Sequence, residues 1–329
     1  MNELYMYKVL FSVIVPCYNC KNHIQKALAS LNEQIFKNFE VILIDDCSND
    51  GTYEYLLDYV DKSGLNLHLY RNTENQGPGY SRNFGISKAQ GVYVVFLDSD
   101  DWYEGNLLNE LSKRIKLENS DLIFFDFYRC FGERKEPINI TSKFVKRDKA
   151  SLIATCYDSL WSLCVKKTVF ESVKIPHINN SEDAATIPLL IFHSNCVSFI
   201  SLPLYNYIYR KNSLSTSRGE EIVCSFIEAF RYLKESLPEY YIPVQFKGIM
   251  LILYGAVFKA IEAEMSSISV ADIVKQYVDV NQSWYSNPYI KVLPCRKRVF
   301  LFFVKHKCFR ILSLYVKLQN FIFLSKMRG

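Results

Sequence analysis

The sequence predicts an α/β fold: a mainly parallel sheet with helices on both faces, followed by a helical C-terminal region. Three observations carry this. Short β-branched runs alternate with helical stretches of about 10–12 residues through the first half. The runs are apolar on successive residues, as strands covered on both faces require. From Glu220 onward the pattern is helical.

Phe11–Pro16 (F-S-V-I-V-P) forms the first strand, and a helix follows from Lys21 to Asn32. Phe39–Asp45 (F-E-V-I-L-I-D) is a second buried strand and Thr52–Val60 a second helix. Leu65–Tyr70 is a third strand. Pro78–Ala89 is a helix with proline in its first turn, where the missing N–H costs nothing. Val92–Asp98 is the fourth strand, and Leu107–Leu117 and Leu122–Phe127 continue the alternation. Residues 129–217 have weaker periodicity and more turn signals, with a Tyr-rich strand at Leu204–Arg210. The expected division is a nucleotide-binding and catalytic domain over 1–217 and a helical region over 218–329.

Composition removes several function classes. The 329 residues are 49% hydrophobic and 22% charged, ordinary globular values that leave no room for extended disorder. The net charge of +5 is uneven. Residues 291–329 hold ten Lys/Arg and no acid, which leaves 29 of the 39 basic residues against 34 acidic ones elsewhere. An acidic body with a basic, aromatic tail does not suit nucleic acid; it suits an anionic membrane surface. No secretory signal is visible near Met1, and the ten cysteines read as reduced thiols of a cytosolic protein. Cys17 and Cys20 form a C-x-x-C, but no second pair has metal spacing and the five histidines are scattered. The longest uncharged apolar run, Gly248–Phe258, is too short to span a bilayer and reads as a buried helix.

In a doubly wound sheet the ligand sits beyond the carboxyl ends of the strands. Those ends carry Pro16-Cys17-Tyr18-Asn19, Asp45-Asp46-Cys47-Ser48-Asn49-Asp50-Gly51-Thr52, Asn75 to Asn83, and Asp98-Ser99-Asp100-Asp101. Clustered carboxylates repel, and a divalent cation relieves the repulsion, so Asp98-x-Asp100-Asp101 is a candidate Mg²⁺ or Mn²⁺ site completed by a substrate phosphate. Asp100 or Asp101 could simply cap the next helix, which begins near Leu107. Asp45-Asp46 could meet a nucleoside hydroxyl or serve the turn. Gly77-Pro78-Gly79 could bring backbone N–H groups towards phosphate or merely open a helix. Neither the P-loop nor the dinucleotide fingerprint is present.

Taken together, S-V-I-V-P-C-Y-N, V-I-L-I-D-D-C-S-N-D-G-T and N-Q-G-P-G-Y-S-R-N-F-G-I-S-K-A-Q-G-V-Y-V-V-F-L-D-S-D-D resemble glycosyltransferase family 2 in order and spacing. The resemblance is dense from Ser12 to Trp102. It returns at Trp161–Phe170, Ser181–Asp183 and Leu204–Ser215. It implies a GT-A type fold that binds a nucleotide-sugar, most often a UDP-sugar, through Mn²⁺ or Mg²⁺. It further implies transfer with inversion to a glycan or lipid-linked glycan, in surface polysaccharide biosynthesis. By the same resemblance, Pro16, Tyr18 and Asn19 lie against the nucleobase and ribose, and Asp46 faces the base. Arg82 closes over the nucleotide. Asp98 lies nearer the ribose and Asp100 nearer the metal, with both counted as metal residues. Asp183 matches the catalytic base; Arg210, Ser213 and Ser215 belong to a loop over the diphosphate. The family's G-S-T is Cys47-Ser48-Asn49 here, and Pro188 follows the acidic pair closely enough to kink or delay a helix. Glu182 and Asp183 also suit a helix start. A metal-dependent phosphohydrolase or a non-catalytic glycan-binding protein is the alternative on the same fold.

At about 100° per residue, a helix over Val299–Phe323 gathers Val304, Cys308, Ile311, Leu312, Tyr315, Leu318 and Ile322 on one face. Lys307, Arg310 and Lys317 fall on another. Such a helix suits an anionic leaflet, or packing on the protein or a second subunit. The expected location is cytoplasmic, peripheral on the inner face of the cell membrane.

Overall fold

The computed structural model describes residues 9–144, 146–209 and 219–328. The chain divides into two compact units. The first holds the chain to residue 145 with 157–177 and 190–209; the second holds 146–156, 178–189 and the chain from 210 onward. The second unit thus takes in 146–156 and 178–189 from within the stretch 1–217, and its last segment starts before 217 as well.

The first unit opens with β1 (Phe11–Cys17), α1 (Ile24–Asn32), β2 (Phe39–Asp45), α2 (Thr52–Lys62), β3 (Leu67–Arg71), α3 (Gly77–Lys88) and β4 (Tyr93–Phe96). These match the expected alternation within a few residues. Next come β5 (Trp102–Tyr103), α4 (Leu107–Glu118), β6 (Leu122–Phe131) and β7 (Arg134–Ile138). The helices bury the stripes their spacing predicts: Ile24, Ala27, Leu28 and Leu31 in α1, and Leu107, Leu108, Leu111 and Ile115 in α4. Asn119 ends α4 in the left-handed region, at φ 48°.

The chain then gives α5 (Lys149–Thr155) to the second unit and returns for β8 (Leu163–Lys166). α6 (Glu182–His193) begins at the acidic pair and runs through Pro188, losing the one hydrogen bond that proline cannot donate. β9 (Val197–Ile208) completes a nine-stranded sheet of order β3-β2-β1-β4-β8-β6-β9-β5, with β7 beside β6. From β3 to β4 the pairing is parallel, with Ile14 opposite Ile42 and Phe96. Beyond β4 the sheet is mixed. β8 is antiparallel to both β4 and β6, while β6 and β9 are parallel. The first four strands are wholly parallel, and beyond them parallel and antiparallel pairs are mixed. Leu163, Cys164 and Val165 of β8 are fully buried, and an interior antiparallel strand shows the same unbroken apolar run as a parallel one.

Opposite the carboxyl ends, buried Glu40 ties strands together by accepting from Ser12 Oγ (2.6 Å) and from the backbone N–H of Gln90 (2.6 Å) and Gly91 (3.2 Å). Gly91 is needed there: a Cβ would come 2.6 Å from the Ser12 nitrogen.

The second unit is helical. α7 (Glu220–Ser236) is followed by α8 (Tyr241–Gly248), a π-helical stretch (Ile249–Ala256) and α9 (Val257–Glu262), then α10 (Ser267–Val280), α11 (Cys295–Lys305) and α12 (Phe309–Arg328). The continuous helix Pro238–Glu262 is long and apolar enough to cross a membrane by length and composition. Its most apolar window is 72% buried, and it contains Lys247, buried and donating to the Cys156 carbonyl at 3.2 Å.

Candidate active site

The strand order decides where a ligand can enter. From β1 the chain moves one way to β2 and β3; β4 lies on the other side of β1. The crevice of such a sheet opens at that switch point, beyond the carboxyl ends of β1 and β4.

The β1 end is bound tightly to the β2 end. Asn19, left-handed at φ 47°, suits a conformation that most side chains avoid. Its N–H donates to Ser48 Oγ at 3.0 Å, and its Oδ1 accepts from the Asn49 N–H at 3.0 Å. Thr52 Oγ1 accepts from the N–H of both Cys20 and Lys21 at 2.9 Å. Pro16 is half-buried, and Tyr18 stands out at 48% exposure, its ring offered to solvent at the crevice mouth. Beneath them Cys17 and Cys20 are buried. A thiol-to-sulfur hydrogen bond raises the Cys17 pKa, an effect reinforced by burial, and lowers that of Cys20.

The two aspartates after β2 have separate tasks. Asp45 is fully buried, meets Arg71 Nε at 3.2 Å and has its pKa raised by burial. Asp46 accepts from Asn72 Nδ2 (2.7 Å) and the N–H groups of Gln76 (3.1 Å) and Gly77 (2.7 Å). It therefore holds the loop that leads into α3, at the helix end where a carboxylate is favoured. Both of its oxygens are engaged by that loop. On α3, Arg82 is buried and its Nη2 donates to Asp98 Oδ1 at 2.8 Å.

The D-x-D turn follows β4 and separates its three carboxylates. Asp101 is buried and faces inward; its Oδ2 accepts from Tyr205 Oη at 2.8 Å and its Oδ1 from the Ile208 N–H at 2.7 Å. Burial, then the charges of Asp100 and Asp98, push its pKa well up. The same Tyr205 oxygen accepts from the Asp98 N–H at 3.2 Å. Asp98 and Asp100 stay half-exposed at the turn. Among the described residues no three His, Cys, Asp or Glu side chains are grouped to hold a metal ion. A pair of half-exposed oxygen ligands nevertheless fits Mg²⁺ or Mn²⁺, which take one or two carboxylates and complete their shell with water and phosphate. The residue types fit the metal; Asp98 and Asp100 would hold it.

Pro16, Tyr18, Asn19, Asp46, Arg82, Asp98 and Asp100 thus lie along one edge of the first unit. Asp183 is half-buried in the first turn of α6 and belongs to the second unit, beside buried Glu182. Arg210, Ser213 and Ser215 lie outside the described residues. The sequence set Thr52 and Asp101 among the strand-end residues without their structural tasks, and it gave Asn72 and Tyr205 no part in this edge. The third carboxylate of D-x-D-D was the available signal for Asp101; Tyr205 lies 104 residues from it and had none.

Comparison with known proteins bears on this geometry. Residues 12–164 match the model of glycosyl transferase family 2. The chain is 28% identical over 233 residues to glycosyltransferase GlyA of Streptococcus pneumoniae, aligning 66% of this chain with only a third of that longer protein. It is 30% identical over 175 residues to an uncharacterized glycosyltransferase of Haemophilus influenzae, covering 53% of this chain and 69% of the relative. Among solved structures, residues 1–349 of Staphylococcus aureus TarS in complex with UDP superpose with a TM-score of 0.67 at 20% identity, over 95% of this chain and 91% of that one. The likeness to TarS is one of fold.

Proposed function

Because the chain belongs to glycosyl transferase family 2 and has its GT-A fold, we propose that it transfers a sugar from a UDP-sugar, with inversion, to a glycan or lipid-linked glycan in surface polysaccharide assembly. The observation that carries this is the D-x-D turn at the switch point. Two of its carboxylates remain half-exposed while Arg82, Tyr205 and the third carboxylate hold it in place. TarS, a poly(ribitol-phosphate) β-N-acetylglucosaminyltransferase, supports the choice of UDP and of a polymer acceptor. The β1 end, Pro16-Cys17-Tyr18-Asn19, lacks the aspartate that a phosphohydrolase would place there.

In this reading Tyr18 and Asn19 receive the base and ribose, and Asp46 shapes their pocket through the 72–77 loop. Asp98, neutralised on one oxygen by Arg82, receives the ribose side of the donor. Asp100 faces the diphosphate. A bound Mn²⁺ or Mg²⁺ would stabilise the negative charge that grows on the departing diphosphate. Arg210, Ser213 and Ser215 would close over the same group. A sugar hydroxyl is a weak nucleophile, so Asp183 takes its proton as it attacks the anomeric carbon from the face opposite the leaving group. One base suffices for inversion. A lipid-linked acceptor requires work at the inner face of the membrane, and the ten-cation tail suits peripheral attachment there.

Calorimetry tests the metal and donor assignment. Mn²⁺ should raise affinity for a UDP-sugar, and Asp100→Ala should abolish that increase while leaving the fold intact. Donor binding that is unchanged by a chelator would overturn the assignment.

A further inference from the structure

In α12 the structure divides the apolar residues differently from the single face expected. Leu312 and Val316 are buried, with 0% and 1% exposure, as is Val304 of α11 with 1%. Ile311 (51%), Leu314 (69%), Leu318 (55%), Phe321 (71%) and Ile322 (47%) are exposed. At about 100° per residue these five fall within an arc of about 100°, on the side away from Leu312 and Val316. The helix therefore carries two apolar faces, of which the described residues cover one.

Five large apolar side chains in one contiguous stripe exceed the scattered exposure normal for a soluble surface. The edges of the stripe say what covers it. Exposed Arg310 and Lys317 lie on the strip adjoining Phe321. On the opposite edge, Tyr315 Oη donates to the Arg296 carbonyl at 3.0 Å, which brings the basic first turn of α11, Arg296-Lys297-Arg298, alongside. Cations thus border both edges, and residues 291–329 contain no acidic side chain. Two copies pairing this stripe about a two-fold axis would set like charges against like. An anionic lipid surface offers acyl chains to the stripe and phosphates to both borders.

We infer that the exposed α12 stripe, Ile311, Leu314, Leu318, Phe321 and Ile322, is the docking surface of this protein on an anionic lipid bilayer. The helix lies in the plane of the interface with the stripe buried among acyl chains, and exposed Arg310, Lys317, Arg296 and Arg298 meet headgroup phosphates. The inference deepens the reading of the tail as membrane-seeking and does not depend on the transfer chemistry.

The test is co-sedimentation of the full chain with phosphatidylcholine vesicles, with and without phosphatidylglycerol. The wild type should partition onto the phosphatidylglycerol vesicles at low salt and be released as salt rises. The double variant L314S/F321S, at two of the most exposed positions, should lose about tenfold or more in partitioning. R310Q/K317Q should lose about fivefold per charge and show a shallower salt dependence. Donor binding measured by calorimetry on both variants should equal that of the wild type. Undiminished vesicle binding by L314S/F321S overturns the proposal, as does failure of the wild type to bind phosphatidylglycerol vesicles. A wild-type dimer that L314S/F321S converts to monomer without vesicles also overturns it, by assigning the stripe to a second copy.

Discussion

Three aspartates in four positions do three different things, and solvent decides which. Asp98 shares its charge with Arg82, Asp100 stays at the half-exposed turn, and Asp101 is buried under two hydrogen bonds. Asp101→Asn would set an amide N–H against one of the two donors, leaving a buried group unpaired at a cost of about 1–3 kcal/mol. Thermal or denaturant unfolding should show that loss, and UDP affinity should fall with it because Asp98 hangs from the same tyrosine. The pH dependence has a definite sign. A carboxyl whose pKa is raised on folding binds its proton more tightly folded than unfolded, so its contribution is fully present below the unfolded value near 4 and declines as pH rises towards the folded value. The stability gap between wild type and Asp101→Asn should narrow over that rise. Asp183 is judged by kinetics instead: Asp183→Asn should leave donor binding nearly intact while turnover falls about 10²-fold or more. An active Asp183→Asn enzyme would move the role to Glu182 or another carboxylate.

At the scale of elements, α8 and the π-helical stretch after it are fixed by one glycine. A Cβ on Gly248 would come within 2.4 Å of Phe230 Cε2 and 2.6 Å of Tyr277 Cε2, and those two rings already pack together at 5.3 Å. Alanine favours a helix over glycine by up to about 1 kcal/mol, whereas overpacking a filled core costs about 1–3 kcal/mol. The clash should win. Gly248→Ala should lower the unfolding midpoint, and Phe230→Leu added to it should restore part of the loss. Stabilisation by Gly248→Ala alone would show that the rings yield freely. Thr52 works at the same scale: one hydroxyl accepts from Cys20 and Lys21 and so ties the start of α2 to the loop after β1.

For the whole molecule, charge and chemistry are divided along the chain. The residues proposed for donor, metal and base all precede position 217, while the basic excess begins at Lys291. Salt separates the two activities. Attachment through many cations should weaken steeply as salt rises, since exposed charges beyond about 10 Å are screened at 0.1 M. Donor binding at the proposed metal site of Asp98 and Asp100 would be a local contact and should respond less. Activity on a soluble acceptor should therefore survive salt that strips the protein from vesicles.

Much of this was determined by the sequence alone. Largely apolar runs marked β1, β2 and β4, because strands covered on both faces need apolar side chains at nearly every position, whereas edge strand β3 alternates and is half-exposed. Asn19, the β2 aspartates and D-x-D stood out because polar residues directly after such runs have few reasons to be there. Tertiary structure alone decided the rest. The direction of β8 is invisible in Leu163-Cys164-Val165, since burial looks the same for either strand sense. The inward turn of Asp101 depends on Tyr205 and Ile208, more than a hundred residues away, and no local pattern encodes so distant a partner. In α12, periodicity revealed an amphipathic helix; which apolar stripe was covered depended on where its neighbours packed. Local preference and pattern are properties of adjacent residues, whereas burial, and the pKa shifts and exposed faces that follow from it, arise only when distant segments meet.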